Sequence, residues 1–335
     1  MLQAFDDPRM LVYDASPAGM EEMRRAVSNY HGGGVEPARI LLTASTSEAY
    51  AYLFKLLCNP GDQVLVPRPS YPLFECLAGL EAVEVRQYPL VYHEGWSIDM
   101  VALRAAVSEK TRAVIVVNPN NPTGSYLKTC ELIELSELCA ERGMALISDE
   151  VFADYAFAED PARVKTVAQV ENCLAFSLSG LSKVAGLPQM KLGWMVVSGP
   201  PNLREEALER LEWIADAYLS VSTPVQCAGP RLLAAGDQVR RQICDRTAAN
   251  LQVARKEFVV SAATLLSVEG GWYATLRLPR IRSEEEWVLD LLEHHGVQVQ
   301  PGFFYDFEEE PFLVLSLLTP PEAFRAGVAA IRAVL

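Results

Sequence analysis

The chain is poor in histidine, short of positive charge and without any long apolar run. Four histidines stand in 335 residues, His31, His93 and the adjacent His294 and His295. None has the helical or hairpin spacing that gathers imidazoles on an ion, so no metal site is expected. Lys and Arg number 29 against 43 Asp and Glu, a formal net charge of −14. Such a surface repels a phosphate backbone, which excludes broad nucleic-acid binding but leaves room for a small anion held locally. The longest apolar stretches, such as 113–117 and 312–315, are strand-sized. They fall far short of the roughly 20 residues that cross a bilayer, so no membrane segment is expected. Seven scattered cysteines contain no Cys-x-x-Cys pair, which fits reduced thiols in a cytoplasmic protein. Residues 1–7 lack the basic stretch and apolar run of a secretory leader. Small molecules or another subunit are the expected partners.

Half of the residues are hydrophobic, enough for a sizeable core, and the length allows about two domains. From Ile40 onward β-rich runs alternate with helical patterns, the order that builds a parallel sheet covered on both faces. Seven strands are predicted, at 40–43, 63–66, 83–87, 113–117, 144–148, 173–177 and 192–197. Leu132, Leu135 and Leu138 recur at helical spacing within 130–141, and Leu208, Leu211 and Ile214 within 203–218. The last third runs strand, helix, strand, strand, helix from 272 to 335, with Pro279 and Pro301-Gly302 as punctuation. The expected fold is α/β, a mostly parallel seven-stranded sheet sandwiched by helices, with a smaller α+β C-terminal domain.

Three segments that follow apolar strands, and one lysine turn, carry chemical interest. Lys183 lies in Leu181-Ser182-Lys183-Val184-Ala185-Gly186, a small turn from which a lysine can point into a cleft or simply into solvent. Asp149 ends the run Ala145–Ile147 at the C-terminal edge of the sheet, where open α/β sheets bind ligands. Asn118-Pro119-Asn120-Asn121-Pro122-Thr123-Gly124 can continue neither as strand nor as helix, and by itself reads as an ordinary turn. Ser45, Thr46 and Ser47 open a predicted helix; Ser45 with Glu48 fits a capping box, and the same hydroxyls and free N–H groups fit a phosphate.

Lysine, carboxylate, turn asparagine and hydroxyl cradle, each at a different strand end, together resemble the fold-type-I pyridoxal-phosphate enzymes, and more narrowly the class I/II aminotransferases. The resemblance runs from about Tyr13 to the C-terminus, firmest at Asn121-Pro122-Thr123-Gly124, Asp149 and Ser182-Lys183. It implies pyridoxal 5′-phosphate as cofactor, with Lys183 forming the Schiff base and moving the substrate proton. It implies that Asp149 pairs with the pyridine nitrogen and keeps it protonated. Asn121 would donate to the ring's 3′ oxygen, Tyr71 would stack on the ring or merely pack in its turn, and Ser45, Thr46 and Ser47 would hold the phosphate. Tyr13 would reach the neighbouring subunit's phosphate in a homodimer, or serve its own chain. The implied reaction moves an amino group between an amino donor and an oxo acid. A lyase acting on a carbon–sulfur or similar bond, and a non-catalytic regulatory or vestigial domain, are the alternatives. The implied domains are 30–235, holding the cofactor, and a small domain from 1–29 with 236–335.

The chain departs from the family pattern at several positions. Lys191 stands where an arginine usually grips the phosphate, keeping the charge but not the planar fork. Phe152 replaces a tyrosine whose hydroxyl bonds the 3′ oxygen, and Gly180 replaces a serine that adds a phosphate contact. Val314 takes the place of the arginine that binds a substrate carboxylate, with Arg277 as a candidate substitute or a solvent-facing strand residue. Residues before Tyr13 are too few for the N-terminal arm that relatives carry.

Overall fold

The computed structural model describes all residues except Asp14 and Glu310. Eight strands form the large sheet: β1 (Ile40–Thr43), β2 (Gln63–Arg68), β3 (Glu84–Tyr92), β4 (Trp96–Ile98), β5 (Thr111–Val117), β6 (Ala145–Asp149), β7 (Ala175–Gly180) and β8 (Gly193–Ser198). Their order is β1-β8-β7-β6-β5-β2-β3-β4, with β3, β2, β5, β6 and β7 mutually parallel and β8 antiparallel to both neighbours. All seven predicted strands are present, and the sheet has one more than expected. The extra strand, β4, is a three-residue edge return from β3 through His93–Gly95, too short to show any period in sequence.

The parallel strands are buried on both faces, which is why they read as continuous apolar runs. One face packs under α2 (Thr46–Leu57), α3 (Leu73–Leu80) and α7 (Pro201–Tyr218) through Ile115, Ile147, Phe176 and Met195. On the other side, Ile40, Leu42 and Trp194 meet α1 (Glu21–Tyr30), α6 (Leu181–Val184) and α8 (Thr223–Phe258). Farther along, Val114, Val116 and Leu146 meet α4 (Met100–Ala106) and α5 (Thr129–Arg142).

The helix α8 is 36 residues long and carries Pro230 inside it; proline and glycine in the sequence concealed its continuity. Gly236 of α8 passes so close to α6 that a Cβ there would lie 2.5 Å from the Ala185 side chain. This close approach seats the turn that bears Lys183.

Beyond α8 come β9 (Thr264–Leu265), β10 (Tyr273–Arg277), α9 (Glu284–His295), β11 (Gln300–Pro301), β12 (Phe312–Ser316) and α10 (Pro321–Ala333). The four strands make an antiparallel sheet in the order β11-β12-β10-β9. Its back face packs on α9, α10 and the end of α8 through Leu276, Trp287, Leu313 and Phe324. The strand-helix-strand-strand-helix reading of the last third therefore holds.

Candidate functional site

Thr43, Gly193 and Gly180 stand abreast on three neighbouring strands, as do Val117, Asp149 and Leu178 on three others. The segments singled out in the sequence leave these strands at the same edge. Ser45 caps α2, its hydroxyl accepting from Glu48 N–H at 3.2 Å. The Glu48 carboxylate accepts from Ala44 N–H at 2.6 Å, one residue earlier than a standard capping box. The N–H groups of Thr46 and Ser47 have no intrahelical acceptor by helix geometry, and all three hydroxyl residues keep partial solvent access. A Cβ on Gly193 would lie 3.2 Å from the Ser45 carbonyl carbon and 3.2 Å from Ser179 O, so the start of α2 sits beside the entry to α6.

Lys183 projects from α6 with its Nζ 4.9 Å from the Trp272 ring centre and 5.6 Å from that of Phe152. Burial lowers the basicity of this amine, and the charge of Asp149 partly restores it. Tyr155 donates its hydroxyl to the Lys183 carbonyl, holding the main chain under the amine.

Asp149 lies deep at the end of β6. Burial pushes its carboxyl up to about 6, against the Val151 N–H, the Tyr50 hydroxyl and Lys183, which all favour the ion. The two donors stand at 3.2 and 3.4 Å. Lys183 and Asp149 thus feel one another, yet among the described residues neither forms an ion pair within 4 Å of the other. Two groups both driven toward neutrality, and held apart, leave room for a third that would satisfy both.

Asn121 supplies a further unmet partner. Its side chain is buried and the outer amide atom assigned as Oδ1 has no hydrogen bond; the two ends of an amide exchange by a flip, so either a donor or an acceptor is on offer. Its neighbour Asn120 is instead structural, bonded to Pro69 O, Thr123 and Ser70. Tyr71 is half exposed in the loop after β2, near enough to Tyr273 and Tyr305 to raise their phenols. Phe152 is buried edge-on to Trp272 and Tyr273. The apolar body, the two opposed charges, the orphaned amide and the open helix start fit a phosphorylated aromatic ring.

The remaining sequence candidates lie farther out. Lys191 is exposed, at φ 51°, two residues before Gly193. Tyr13 is 76 % exposed and lies against Ser220–Pro224, among Met10, Leu11 and Val12. Arg277 is exposed at the end of β10 away from Tyr273. Gly180 is explained by packing: a Cβ there would stand 2.9 Å from Leu192 O, so a serine does not fit.

Sequence reading missed Tyr50, Trp272 and Tyr155. Tyr50 had a signal, because it lies four residues after Thr46 and so on the same face of α2. Trp272 had none, since only the tertiary fold brings the small sheet over Lys183.

The sequence profile of the family described as aminotransferase class I and II matches residues 13–331, and the chain belongs to that family. Members of the family use pyridoxal phosphate. The chain is 30% identical over 228 residues to the S-alkyl-thiohydroximate lyase SUR1 of Arabidopsis thaliana, covering 66% of this chain and 49% of the relative. It is 28% identical over 214 residues to the glutamate-pyruvate aminotransferase AlaA of Escherichia coli, covering 63% and 53%. The chain thus spans about half the length of the curated relatives it matches. An alanine aminotransferase from Pyrococcus furiosus superposes with a TM-score of 0.88 at 23% identity, over 99% of this chain and 86% of that one. That likeness establishes the fold, fold type I.

Proposed function

We propose that the chain is a pyridoxal-phosphate-dependent aminotransferase that moves an amino group from an amino donor to an oxo acid. The observation that carries the reading is the Lys183–Asp149 pair, both shifted toward neutrality by burial, each acting on the other, and not joined in an ion pair. When bound, pyridoxal phosphate supplies an aldehyde for attachment of an amine and a protonated ring that withdraws electrons from the amine-bearing carbon. Lys183 would be the attachment point, and its amine of lowered basicity suits taking and returning the proton of that carbon. Asp149, oriented by Val151 N–H and Tyr50, holds the proton on the ring nitrogen. Asn121 binds the ring oxygen. Ser45, Thr46 and Ser47, with Lys191 as a nearby cation, hold the phosphate. Phe152 and Trp272 exclude water from the amine, and Tyr71 flanks the ring from the loop after β2.

In this reading 30–235 is the cofactor-holding domain and 236–335 the smaller one, the division falling within α8; the segment 1–29, grouped from the sequence with the smaller domain, packs its Met23 and Val27 with Ile40, Leu42 and Trp194 on the large sheet. Tyr13 belongs to a homodimer contact, which its exposure beside the exposed Leu11 and Val12 supports. The scattered cysteines, with no Cys-x-x-Cys pair among them, support a reducing compartment such as the cytoplasm, and no helix among the described residues is long and apolar enough to cross a membrane.

The test is the visible spectrum of the protein with pyridoxal phosphate, before and after a mixture of amino acids and amines. A band that Lys183→Ala abolishes, and that the mixture bleaches without release of ammonia, is the expected outcome. Ammonia release with the band restored selects the lyase reading, which the likeness to SUR1 supports. A protein with no lysine-dependent band refutes the assignment of Lys183 and leaves the regulatory reading.

A further inference from the structure

The small sheet turns one face toward Lys183. Tyr273 on that face meets Phe152 with ring centres 6.4 Å apart, and Phe152 lies beneath the Lys183 amine. In the next row Gln300, Val314 and Thr275 stand abreast across β11, β12 and β10. Val314 is 2 % exposed, packed with Tyr305, Phe307 and Phe312. The Tyr305 hydroxyl donates to Gln300, and Thr275 Oγ1 is buried without a partner. The row is therefore apolar or neutral from end to end. Arg277, two residues past Thr275, lines a separate cavity with Arg68, Phe307 and Phe312, four residues or about 13 Å along the strand from Tyr273.

The electrostatics agree with this placement. Among the described residues Asp149 is the charge that acts on the Lys183 amine. The phenols of Tyr273 and Tyr305 are raised by burial and by neighbouring tyrosines, with no cation among the described residues acting on either. A carboxylate brought against such a wall would lose its water and find no charged donor.

We infer that the substrate for which this site is built carries no carboxylate on its reacting carbon: a primary amine with an aromatic or apolar body, or the corresponding aldehyde or ketone. The inference rests on the aminotransferase reading, with an oxo acid serving as a weakly bound co-substrate. The rings of Phe152, Trp272 and Tyr273 supply the surface for the body of the substrate.

Two paired probes test this on the cofactor-loaded protein. Calorimetry compares 3-phenylpropan-1-ol with 3-phenylpropionate, which share a body and differ in charge. The alcohol is expected to bind about tenfold tighter or more, the scale of one missing charge-assisted contact. Bleaching of the visible band compares 2-phenylethylamine with L-phenylalanine, and the amine is expected to react about tenfold faster at equal subsaturating concentration. Val314→Arg, provided it retains the band, is expected to reverse both preferences. Equal or tighter binding of 3-phenylpropionate, faster reaction of L-phenylalanine, or a band-bearing Val314→Arg that gains no affinity for the acid overturns the inference. If neither amine reacts, the binding ratio decides. Absence of the lysine-dependent band sinks the aminotransferase reading itself, a result separable from all of these.

Discussion

Asp149→Asn should stabilise the protein freed of cofactor. Folded, the Asp149 carboxyl titrates near 6, against 3.8 for the unfolded group, because burial outweighs its two hydrogen bonds and the charge of Lys183. Above about pH 6 the folded chain holds an ion that it would rather protonate. Two units at 1.36 kcal/mol each put that penalty at about 3 kcal/mol. Between 6 and 3.8 the native state takes up the proton and the unfolded state does not, so the penalty fades as pH falls and is gone below 3.8. An asparagine keeps the shape and the Val151 N–H bond, and its amide can still pair with the Tyr50 hydroxyl.

The substitution also removes the charge that favours the ammonium form of Lys183, but that attraction is already contained in the carboxyl's position near 6 and does not reduce the gain further. Urea unfolding of both proteins at a series of pH values reads the difference directly. The variant should be more stable by about 3 kcal/mol at pH 8, and the two curves should converge near pH 4. A variant no more stable at pH 8, or a gap that persists at pH 4, would show that the buried carboxylate is not strained as argued.

Three further outcomes follow from packing and chemistry. Gly180→Ser drives a side chain into Leu192 O, 2.9 Å from the new Cβ; a loss of about 1–3 kcal/mol is expected, and an unchanged urea midpoint would refute the clash. Trp287→Ala empties the core beneath the small sheet, where the indole is 1 % exposed under the Arg282 guanidinium at 4.2 Å. A loss of about 3–5 kcal/mol is expected in calorimetric unfolding, and a loss below 1 kcal/mol would contradict the packing. Phe152→Tyr returns a hydroxyl beside Lys183, so the pH-dependent visible transition of the cofactor-loaded protein should move to lower pH; an unmoved transition counts against that role.

The sequence made the central sheet legible because parallel strands buried on both faces, such as β5 and β8, are continuous apolar runs. It could not show β4, whose three residues carry no period, nor the continuity of α8 through Pro230. At the site, Lys183, Asp149 and Phe152 were legible because each follows a strand end, and the fold brings those ends together. The wall opposite was not. Trp272, Tyr273 and Thr275 come from a sheet more than 80 residues downstream of Lys183, and their facing is set by the small sheet's register and by how α8 carries it back, neither of which leaves a local pattern.

Helix α2 links the two halves of the candidate site. Its first turn presents Ser45, Thr46 and Ser47, and four residues after Thr46 Tyr50 reaches Asp149. At 1.5 Å per residue these features are about 6 Å apart on one rigid rod. A ligand with an anionic group at one end and a basic nitrogen at the other would therefore be registered by a single element. The same helix is buried against the sheet through Ala49, Leu53 and Phe54, so its position is fixed by the core and not by the ligand. In such an arrangement the unfavourable state of Asp149 is stored by the fold in advance, and a protonated ring nitrogen bound against it would relieve it. The strain that lowers the stability of the empty protein is then part of what selects its cofactor.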